Sequence, residues 1–156
     1  AGNAALVRDL GADVIIDYRK EAFEHHLSGY DVVLNSQDAK TLAKSLGVLR
    51  PGGQLISISG PPDPEFADDI RAPWMVKQVM RALSFGVRRQ AQRLQVGYSF
   101  LFMKASGNQL RQITPLIESG AIRPVIDKVF PFESTNEALT YVESGRAKGK
   151  VVIKVR

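Results

Sequence analysis

Residues 30–62, with the sequence YDVVLNSQDAKTLAKSLGVLRPGGQLISISGPP, predict one complete strand, helix, strand unit. Residues 31–34 are a short apolar run of β-forming residues, and three leucines within residues 42–49 then recur at steps of three and four. The PGG segment at residues 51–53 is expected to end this helix. The second strand, residues 54–59, is apolar apart from two serines, which is typical of a parallel strand covered on both faces.

The remaining chain alternates helical and strand patterns, which indicates an α/β fold with mostly parallel pairing. Helices are predicted at residues 3–10, 21–27, 74–85, 87–94 and 110–117. Strands are predicted at residues 13–17, 98–103, 123–132 and 150–155. Ser134 and Glu137 predict a capping box that opens one more helix. Residues 61–73 are rich in proline and acidic residues and predict an irregular loop.

The composition is that of a globular domain, and it excludes several kinds of site. Of 156 residues, 44% are hydrophobic and 24% are charged, so the chain can bury a core and is not expected to be disordered. It has no cysteine, which excludes disulfides and thiolate zinc sites. The neighbours His25 and His26 are the only histidines, and they are expected on an exposed helical surface rather than in a metal site.

The sequence shows neither a membrane span nor a leader. No window reaches the ~20 apolar residues that a spanning helix needs, and no signal-peptide pattern opens the chain. No membrane association is therefore predicted. Together with the absence of cysteine, this favours a cytoplasmic location.

Five basic residues form a patch between Ile70 and Glu118, a stretch without any acidic residue between its two ends. They are Lys77, Arg81, Arg88, Arg89 and Arg93, and the chain has a net charge of +5. Nucleic-acid binding would use such a patch to neutralise phosphates. A solvated helix face, or a patch that attracts an anionic cofactor, is the simpler explanation. The lack of a nucleic-acid motif or an aromatic platform favours these simpler explanations.

Four motifs, taken in order, carry a resemblance to a known family. They are LGADVIIDYR at residues 10–19, SLGVLRPGGQLISISGPP at residues 45–62, IRPVIDKVFPF at residues 122–132 and GRAKGKVVIKV at residues 145–155. With them, the chain resembles the C-terminal half of the medium-chain dehydrogenase/reductase superfamily, in its quinone oxidoreductase-like and zinc-type alcohol dehydrogenase-like branch. The resemblance covers nearly the whole chain.

The resemblance implies a partial Rossmann-type, doubly wound and mostly parallel sheet that lacks its first two strands, plus C-terminal strand, helix, strand segments. Residues 1–121 would form the partial dinucleotide-binding domain, and residues 122–156 would pack toward a catalytic domain outside this chain. The sequence holds no GxGxxG turn for a pyrophosphate. The gap left in the sheet implies that residues 13–17 pair directly with residues 31–34, or that another subunit supplies strands.

The function implied by the resemblance is that of an oxidoreductase. The parent enzyme would use NADPH or NADH to transfer hydride to a quinone, an enone or a similar carbonyl acceptor, and the isolated chain is expected to be inactive. No catalytic residue and no zinc site can be assembled from this chain, since the cofactor itself carries the hydride chemistry. The alternative is a noncatalytic binding or interaction module that uses the basic patch for anionic partners.

Four candidate cofactor-binding residues lie where predicted strands end. Asn35 and Ser36 follow the first strand of residues 30–62, and Ser59 and Gly60 follow the second. Ligands of doubly wound sheets bind outside the carboxyl ends of the strands. Small polar side chains and a glycine would let a ribose or nicotinamide approach closely there, whereas plain turn chemistry is the alternative explanation.

Five further cofactor-binding candidates are implied by the resemblance. Tyr18 would lie beside the adenosine ribose and its 2′-phosphate, with an ordinary tyrosine at a strand end as the alternative. Phe100 and Leu101 belong to the last strand of the nucleotide domain, whose end would border the nicotinamide. Lys148 and Lys150 would contact a phosphate or carboxamide, with a solvated strand terminus as the alternative.

The apolar segment at residues 98–103, YSFLFM, is predicted to be an exposed edge strand. Such an edge is an association hazard unless another strand pairs with it. Homodimerisation through this edge is therefore predicted, in keeping with the subunit pairing that the resemblance implies.

Overall fold

The structure is a computed structural model that describes residues 4–155. Residues 13–103 form one compact unit, and residues 4–12 together with residues 104–155 form a second, smaller one. The compact units thus divide between residues 103 and 104. The functional division between residues 121 and 122 stays a prediction.

Helices and parallel strands alternate along the described chain. In order, the elements are α1 (Ala4–Asp9), β1 (Tyr30–Asn35), α2 (Ala39–Leu46), β2 (Leu49–Ser57), α3 (Pro64–Asp69), α4 (Trp74–Leu83), α5 (Phe85–Arg93), β3 (Gly97–Phe100), α6 (Gly107–Glu118), β4 (Ile126–Pro131), α7 (Thr135–Glu143) and β5 (Lys150–Lys154). Short 3-10 turns occupy Phe23–His25 and Phe132–Ser134. Among residues 4–155, no helix has the length and apolar character needed to cross a membrane.

The larger unit is built on a three-stranded sheet in the order β1-β2-β3, with both pairings parallel. The register places Ser57 of the central strand opposite Asn35 of β1 and opposite Phe100 of β3. Parallel neighbours need long crossovers, which α2 supplies between β1 and β2 and which α3 to α5 supply between β2 and β3. The carboxyl ends of all three strands therefore meet at one edge. The predicted parallel α/β class is confirmed.

The hydrophobic core lies on one face of this sheet. Leu42 and Leu46 of α2 and Ala91 of α5 belong to one buried cluster with Leu55 of β2 and Val96. Leu46 and Leu55 are fully buried, with 0% of their surface exposed. Burying a leucine side chain in this way stabilises a fold by roughly 1.5–3 kcal/mol, so these two residues are central to the stability of the larger unit.

The other face of the sheet is less covered than the sequence predicts. Val32 and Leu34 of β1 are exposed, and Ile58, just after β2, is exposed as well. Successive residues of a strand point to opposite faces, and α2 and α5 pack on the face that carries Leu55 and Ser57. The expectation that residues 54–59 are covered on both faces holds only in part, since Gln54 and Ile56 are partly buried on this face and Ile58 is exposed.

Residues 13–17 are not a strand. They form no ladder with any strand in the described part of the chain, and β1 pairs with β2 alone. Their β-branched residues favour an extended backbone, but a strand also needs a neighbour to take its hydrogen bonds. Direct pairing of residues 13–17 with β1, one of the two predicted ways of closing the sheet, is excluded.

Strand β2 begins at Leu49, so it includes the PGG segment that is predicted to end a helix. Helix α2 already ends at Leu46. Gly52 adopts a positive φ of 81°, and the ladder with β1 shifts register between Tyr30 and Val32, which marks a β-bulge. The glycines therefore bend a strand at a bulge instead of forming a turn between elements.

Residues 61–73 contain α3 instead of an irregular loop. Asp63 caps this helix, because its Oδ1 accepts the Phe66 N–H at 2.8 Å, and Pro64 occupies the first helical position. A further difference lies between α4 and α5, where the break falls at Ser84 and not at Gly86. The Ser84 hydroxyl donates to the Met80 carbonyl at 2.8 Å, a bond that competes with the helical ladder.

The short predicted helices near the start of the chain are only partly present. Residues 21–27 form just the 3-10 turn Phe23–His25. Helix α1 matches the predicted helix at residues 3–10 in its described part, and residue 3 lies outside the described residues.

In the smaller unit, β4 and β5 form a parallel pair connected by α7. The predicted capping box at the start of α7 is wrong, because Ser134 makes no capping hydrogen bond through its side chain. Its backbone ψ of 21° departs from the extended conformation of an N-cap, since the preceding 3-10 turn already curls the chain. The hydroxyl of Thr135 instead donates to the Phe132 carbonyl.

Candidate functional site

Polar groups gather at the carboxyl edge of the three-stranded sheet. Asn35 and Ser57 end β1 and β2 and are buried. Ser57 Oγ donates to Asn35 Oδ1 at 3.2 Å, and Ser59 Oγ lies 3.3 Å from the same oxygen. Ser36 follows β1 directly and is exposed. Asn35, Ser57, Ser59 and Gly60 are together called the edge cluster.

The hydroxyls of the edge cluster fix the orientation of the Asn35 amide. Ser57 Oγ accepts the Gly60 N–H and donates its own hydrogen to Asn35 Oδ1, while the Ser59 hydroxyl donates to the Gln37 carbonyl at 2.5 Å, so Nδ2 is the amide donor that remains. No acceptor within residues 4–155 takes a hydrogen bond from Nδ2. Asn35 can therefore donate to a ligand oxygen at this edge without breaking any bond within the chain.

Gly60 closes the edge cluster, and its N–H donates to Ser57 Oγ at 2.8 Å. A Cβ atom at this position would lie 2.6 Å from Leu42 Cδ1, 2.7 Å from Tyr98 Oη and 2.8 Å from Ser57 Oγ. Packed protein interiors do not tolerate carbon contacts this short. All three atoms belong to side chains, so Leu42, Tyr98 and Ser57 would have to move to admit any residue larger than glycine.

Two hydrogen bonds fasten the loop after Gly60 to β3. Tyr98 Oη donates to the Pro61 carbonyl at 2.6 Å, and Asp63 Oδ2 accepts the Phe100 N–H at 2.8 Å. Burial and, to a lesser extent, the charge of Asp63 raise the pKa of Tyr98 to about 12. The phenol therefore stays protonated at neutral pH and keeps its bond to the loop.

Phe100 and Leu101 lie at the same edge, and β3 ends at Phe100, short of the predicted limit at residue 103. The Leu101 N–H donates to the Ser57 carbonyl at 2.9 Å. The Phe100 ring packs edge-on against Phe66, with 5.0 Å between centroids. The backbone N–H groups of both residues are thus used within the chain, so contacts to a ligand would come from their side chains or carbonyls.

Tyr18 belongs to a different surface, a cavity of about 380 Å³. Its ring is exposed, with the Arg19 guanidinium 5.8 Å from the ring centroid. The other charged residues that line the cavity are Lys20, Glu21, Glu24, Lys40 and Lys44. Lys44 pairs with Glu24, whose Oε2 atom is buried without a hydrogen-bond partner in the described structure. Lys20 and Lys40 form no salt bridge within residues 4–155.

Lys148 and Lys150 lie in the smaller unit, and both are exposed. Their backbone N–H groups serve the local fold: that of Lys148 donates to Asp127 Oδ2 at 3.2 Å, and that of Lys150 donates to the Val125 carbonyl at 2.7 Å. Tyr141 also donates to Asp127 Oδ2, at 2.7 Å, and this bond holds the pKa of Asp127 below its ordinary value. Both lysine side chains remain available to solvent.

The described residues do not fit a metal ion. No three His, Asp or Glu side chains in residues 4–155 are grouped so that they could hold one. His25 and His26 are exposed, and His26 pairs with Glu21 at 3.1 Å.

Sequence reasoning missed two residues that organise the edge. Ser57 carries the central hydroxyl of the edge cluster, and it is buried at the end of β2, two residues before Ser59. Asp63 ties the loop to β3. The sequence Asp-Pro-Glu at residues 63–65 contains the signal for its capping role, namely an N-cap residue, a proline at the first helical position and an acid in the first turn.

A parallel sheet with crossover helices and polar groups at the carboxyl edge defines a Rossmann-type α/β fold. Residues 10–153 match the family described as zinc-binding dehydrogenase. The chain belongs to this family, within the medium-chain dehydrogenase/reductase superfamily. The residues present do not fit the zinc ion that the family description mentions, and no step proposed below passes through one.

Relatives and solved structures agree with this family. The chain is 31% identical over 157 residues to "NAD(P)H oxidoreductase RTN4IP1, mitochondrial" of Danio rerio, covering 96% of this chain and 40% of that protein. It is 31% identical over 154 residues to "2-methylene-furan-3-one reductase" of Solanum lycopersicum, covering 97% of this chain and 31% of that protein. The quinone oxidoreductase from Coxiella burnetii shares the fold, with a TM-score of 0.73 at 21% identity, over 99% of this chain and 43% of that one. The chain thus spans less than half the length of these proteins.

The relatives correct one expectation from the sequence. A cytoplasmic location was expected partly because cysteine is absent, but this is wrong, since the Danio rerio relative is named as mitochondrial and other relatives carry the same word. A cysteine-free composition is compatible with any reducing compartment. It therefore does not identify the cytoplasm.

Proposed function

We propose that this chain is the cofactor-domain part of an NAD(P)H-dependent oxidoreductase that transfers hydride to a quinone, an enone or a similar carbonyl acceptor. The observation that carries the proposal is the row formed by Asn35, Ser57 and Phe100, which stand side by side in register at the carboxyl ends of three parallel strands. Ligands of such sheets bind at this edge. The names of the relatives, an NAD(P)H oxidoreductase and an enone-type reductase, support the reaction class.

In this proposal the edge cluster binds the nicotinamide half of the cofactor. Asn35 Nδ2 donates to a ribose hydroxyl or to the carboxamide oxygen, and Ser59 Oγ, whose hydrogen is donated to the Gln37 carbonyl, accepts a second hydrogen bond from the ligand. Ser36, Phe100 and Leu101 border the same space. When bound, the nicotinamide supplies the hydride, so these residues need only orient it and keep water out.

Cofactor binding is tested by fluorescence titration of NADPH and NADH against the full-length protein. We expect Ser59→Ala to raise the Kd by about fivefold, the effect of one lost hydrogen bond. Ser28→Ala is the matched control, because Ser28 is exposed and precedes β1 at the opposite end of the strand. Absence of binding by the unaltered protein would refute the proposed function. Equal Kd values for all three proteins would remove Ser59 from the site.

The cavity beside Tyr18 supports NADPH as the preferred cofactor. Arg19, Lys20 and Lys40 line it, and a phosphate ester on the adenosine ribose would match this positive charge while Tyr18 lies beside the ribose. Glu21 and Glu24 reduce the excess of positive charge, and Glu24 is paired with Lys44, but Arg19, Lys20 and Lys40 still outnumber Glu21. The titration with both cofactors therefore also tests this preference, since a lower Kd for NADH would refute it.

The isolated chain of residues 1–156 is proposed to have little cofactor affinity and no turnover. It has no GxGxxG turn for the pyrophosphate. Lys148 and Lys150 are retained as weaker candidates for a phosphate or carboxamide contact. Oxidation of NADPH by this polypeptide alone, followed by absorbance, would contradict the proposal.

The alternative function, an interaction module that uses the basic patch, receives less support. Lys77 Nζ contacts both oxygens of Asp68 at 2.6 Å. Arg88 donates to the Ser84 hydroxyl and to the Arg81 carbonyl, and Arg89 lies 6.0 Å from the ring centroid of Phe85. Several of the patch residues are therefore engaged within the fold, and binding of an anionic polymer would compete with these contacts.

Homodimerisation through the β3 edge remains part of the proposal. In the described sheet β3 is an edge strand, and Leu101 and Met103 just beyond it are exposed. An apolar edge of this kind is stabilised when a second strand pairs with it. Sedimentation of the full-length protein at micromolar concentration is expected to give the mass of a dimer, and a monomer there would contradict the proposal.

A further inference from the structure

Asp63 is the one buried acid of the larger unit, with 3% of its surface exposed. Burying a carboxylate is costly unless hydrogen bonds replace its lost water. Both oxygens of Asp63 are bonded, since Oδ1 accepts the Phe66 N–H and Oδ2 accepts the Phe100 N–H, each at 2.8 Å. The first bond caps α3. The second is not needed by that helix, because it reaches from the loop after β2 to the end of β3.

Phe100, which donates to Asp63, lies next to the edge cluster. Phe100 stands opposite Ser57 in the sheet register, and the next N–H along the chain, that of Leu101, donates to the Ser57 carbonyl. Asp63 therefore fixes the loop that carries Ser59 and Gly60 against the strand end that borders Ser57. Removing the bond would release one side of the edge cluster without touching any of its members.

A second tether acts at the same loop but cannot replace the first. Tyr98 Oη donates to the Pro61 carbonyl and lies where a Cβ at Gly60 would be only 2.7 Å away. This contact limits movement of the loop toward β3. Only the Asp63 bond reaches the last residue of β3, whereas the Ser59 hydroxyl donates to the Gln37 carbonyl on the β1 side, so the two bonds restrain different sides of the turn.

We propose that Asp63 is a positioning residue for the nicotinamide subsite, which it keeps in binding geometry by tying residues 59–63 to the end of β3. This inference rests on the proposed function. Asp63 touches no ligand in this role. It acts through the Phe100 backbone and the Ser59 to Gly60 turn.

The test compares Asp63→Asn with Asp68→Asn. Asparagine is as good an N-cap as aspartate, so the cap of α3 is retained, but its amide NH2 group then meets the Phe100 N–H, donor against donor. Asp68 lies on the same helix, is exposed and pairs with Lys77, so the control removes the same charge without removing a tether. Asp63→Ser is the second variant, because serine also caps helices but lacks the second acceptor.

The first measurement is amide hydrogen exchange in the chain itself, followed by NMR. We expect the Phe100 amide to exchange at least about tenfold faster in Asp63→Asn and in Asp63→Ser than in the unaltered chain, and to be unchanged in Asp68→Asn. This readout does not depend on cofactor binding. Unchanged exchange at Phe100 in both Asp63 variants would overturn the inference.

The second measurement is the Kd for NADPH and NADH in the full-length protein, at a temperature where each variant is folded. We expect Asp63→Asn to raise the Kd by about tenfold and Asp68→Asn to leave it unchanged. A variant that is less stable but binds with the original Kd would make Asp63 merely structural and overturn the inference. An equal increase of the Kd in Asp63→Asn and in Asp68→Asn would overturn it too, because the effect would then come from the lost charge. Absence of binding by the unaltered protein would instead refute the proposed function, and the positioning role with it.

Discussion

Leu55→Ala is expected to lower the free energy of unfolding by about 2–5 kcal/mol, the cost of deleting buried methyl groups and leaving a cavity. Leu55 is fully buried on the central strand and belongs to the same cluster as Leu42 and Leu46. Urea denaturation followed by far-ultraviolet circular dichroism measures the change.

Leu83→Ala is the matched control for this experiment, since Leu83 ends α4 with 63% of its surface exposed. The same chemical change there is expected to alter stability by no more than about 0.5 kcal/mol. Equal effects at Leu55 and Leu83 would mean that the core does not lie on the face of the sheet that packs against α2.

Gly60→Ala is expected to destabilise the chain by about 1–3 kcal/mol, because the new methyl group would overlap Leu42, Tyr98 and Ser57. Ser57 belongs to the edge cluster and Tyr98 fastens the loop that follows it. The substitution should therefore also weaken cofactor binding in the full-length protein. Urea denaturation gives the first effect, and the NADPH titration gives the second.

Gly86→Ala provides a control of opposite sign. Gly86 lies inside α5, and a Cβ there would meet nothing within 4 Å. Alanine is the better helix former by roughly 0.5–1 kcal/mol, so this variant is expected to be more stable than the unaltered chain. A loss of stability at Gly86 as large as that at Gly60 would show that packing does not distinguish the two glycines.

The parallel strands could be predicted from the sequence because their apolar runs and crossover helices are local signals. The predicted strand at residues 31–34 became β1, and the predicted helix around Leu42 and Leu46 became α2. Where the prediction failed, the deciding partner was distant in sequence or was a local bond that outweighed propensity. Residues 13–17 have the right residue types but no neighbouring strand, and the PGG segment bends a strand because β1 lies beside it.

The site could be located from the sequence but not assembled. The rule that ligands bind where parallel strands end selected Asn35, Ser59 and Gly60, and the structure brings these three together. It could not reveal that Asp63 and Tyr98 hold the loop, because those bonds join residues 37 apart in sequence. Tyr18 was selected by the resemblance and not by this rule, and it lines a different cavity.

Leu55 and Ser57 lie two residues apart on the same face of β2. The same strand register therefore places Leu55 in the core and Ser57 in the edge cluster. A slip of β2 by one residue would turn every side chain of the strand to the opposite face. Leu55 would leave the core in the same step that took Ser57 away from Asn35. Correct register of β2 is therefore needed for both the core and the edge cluster, and a chain with β2 out of register has neither.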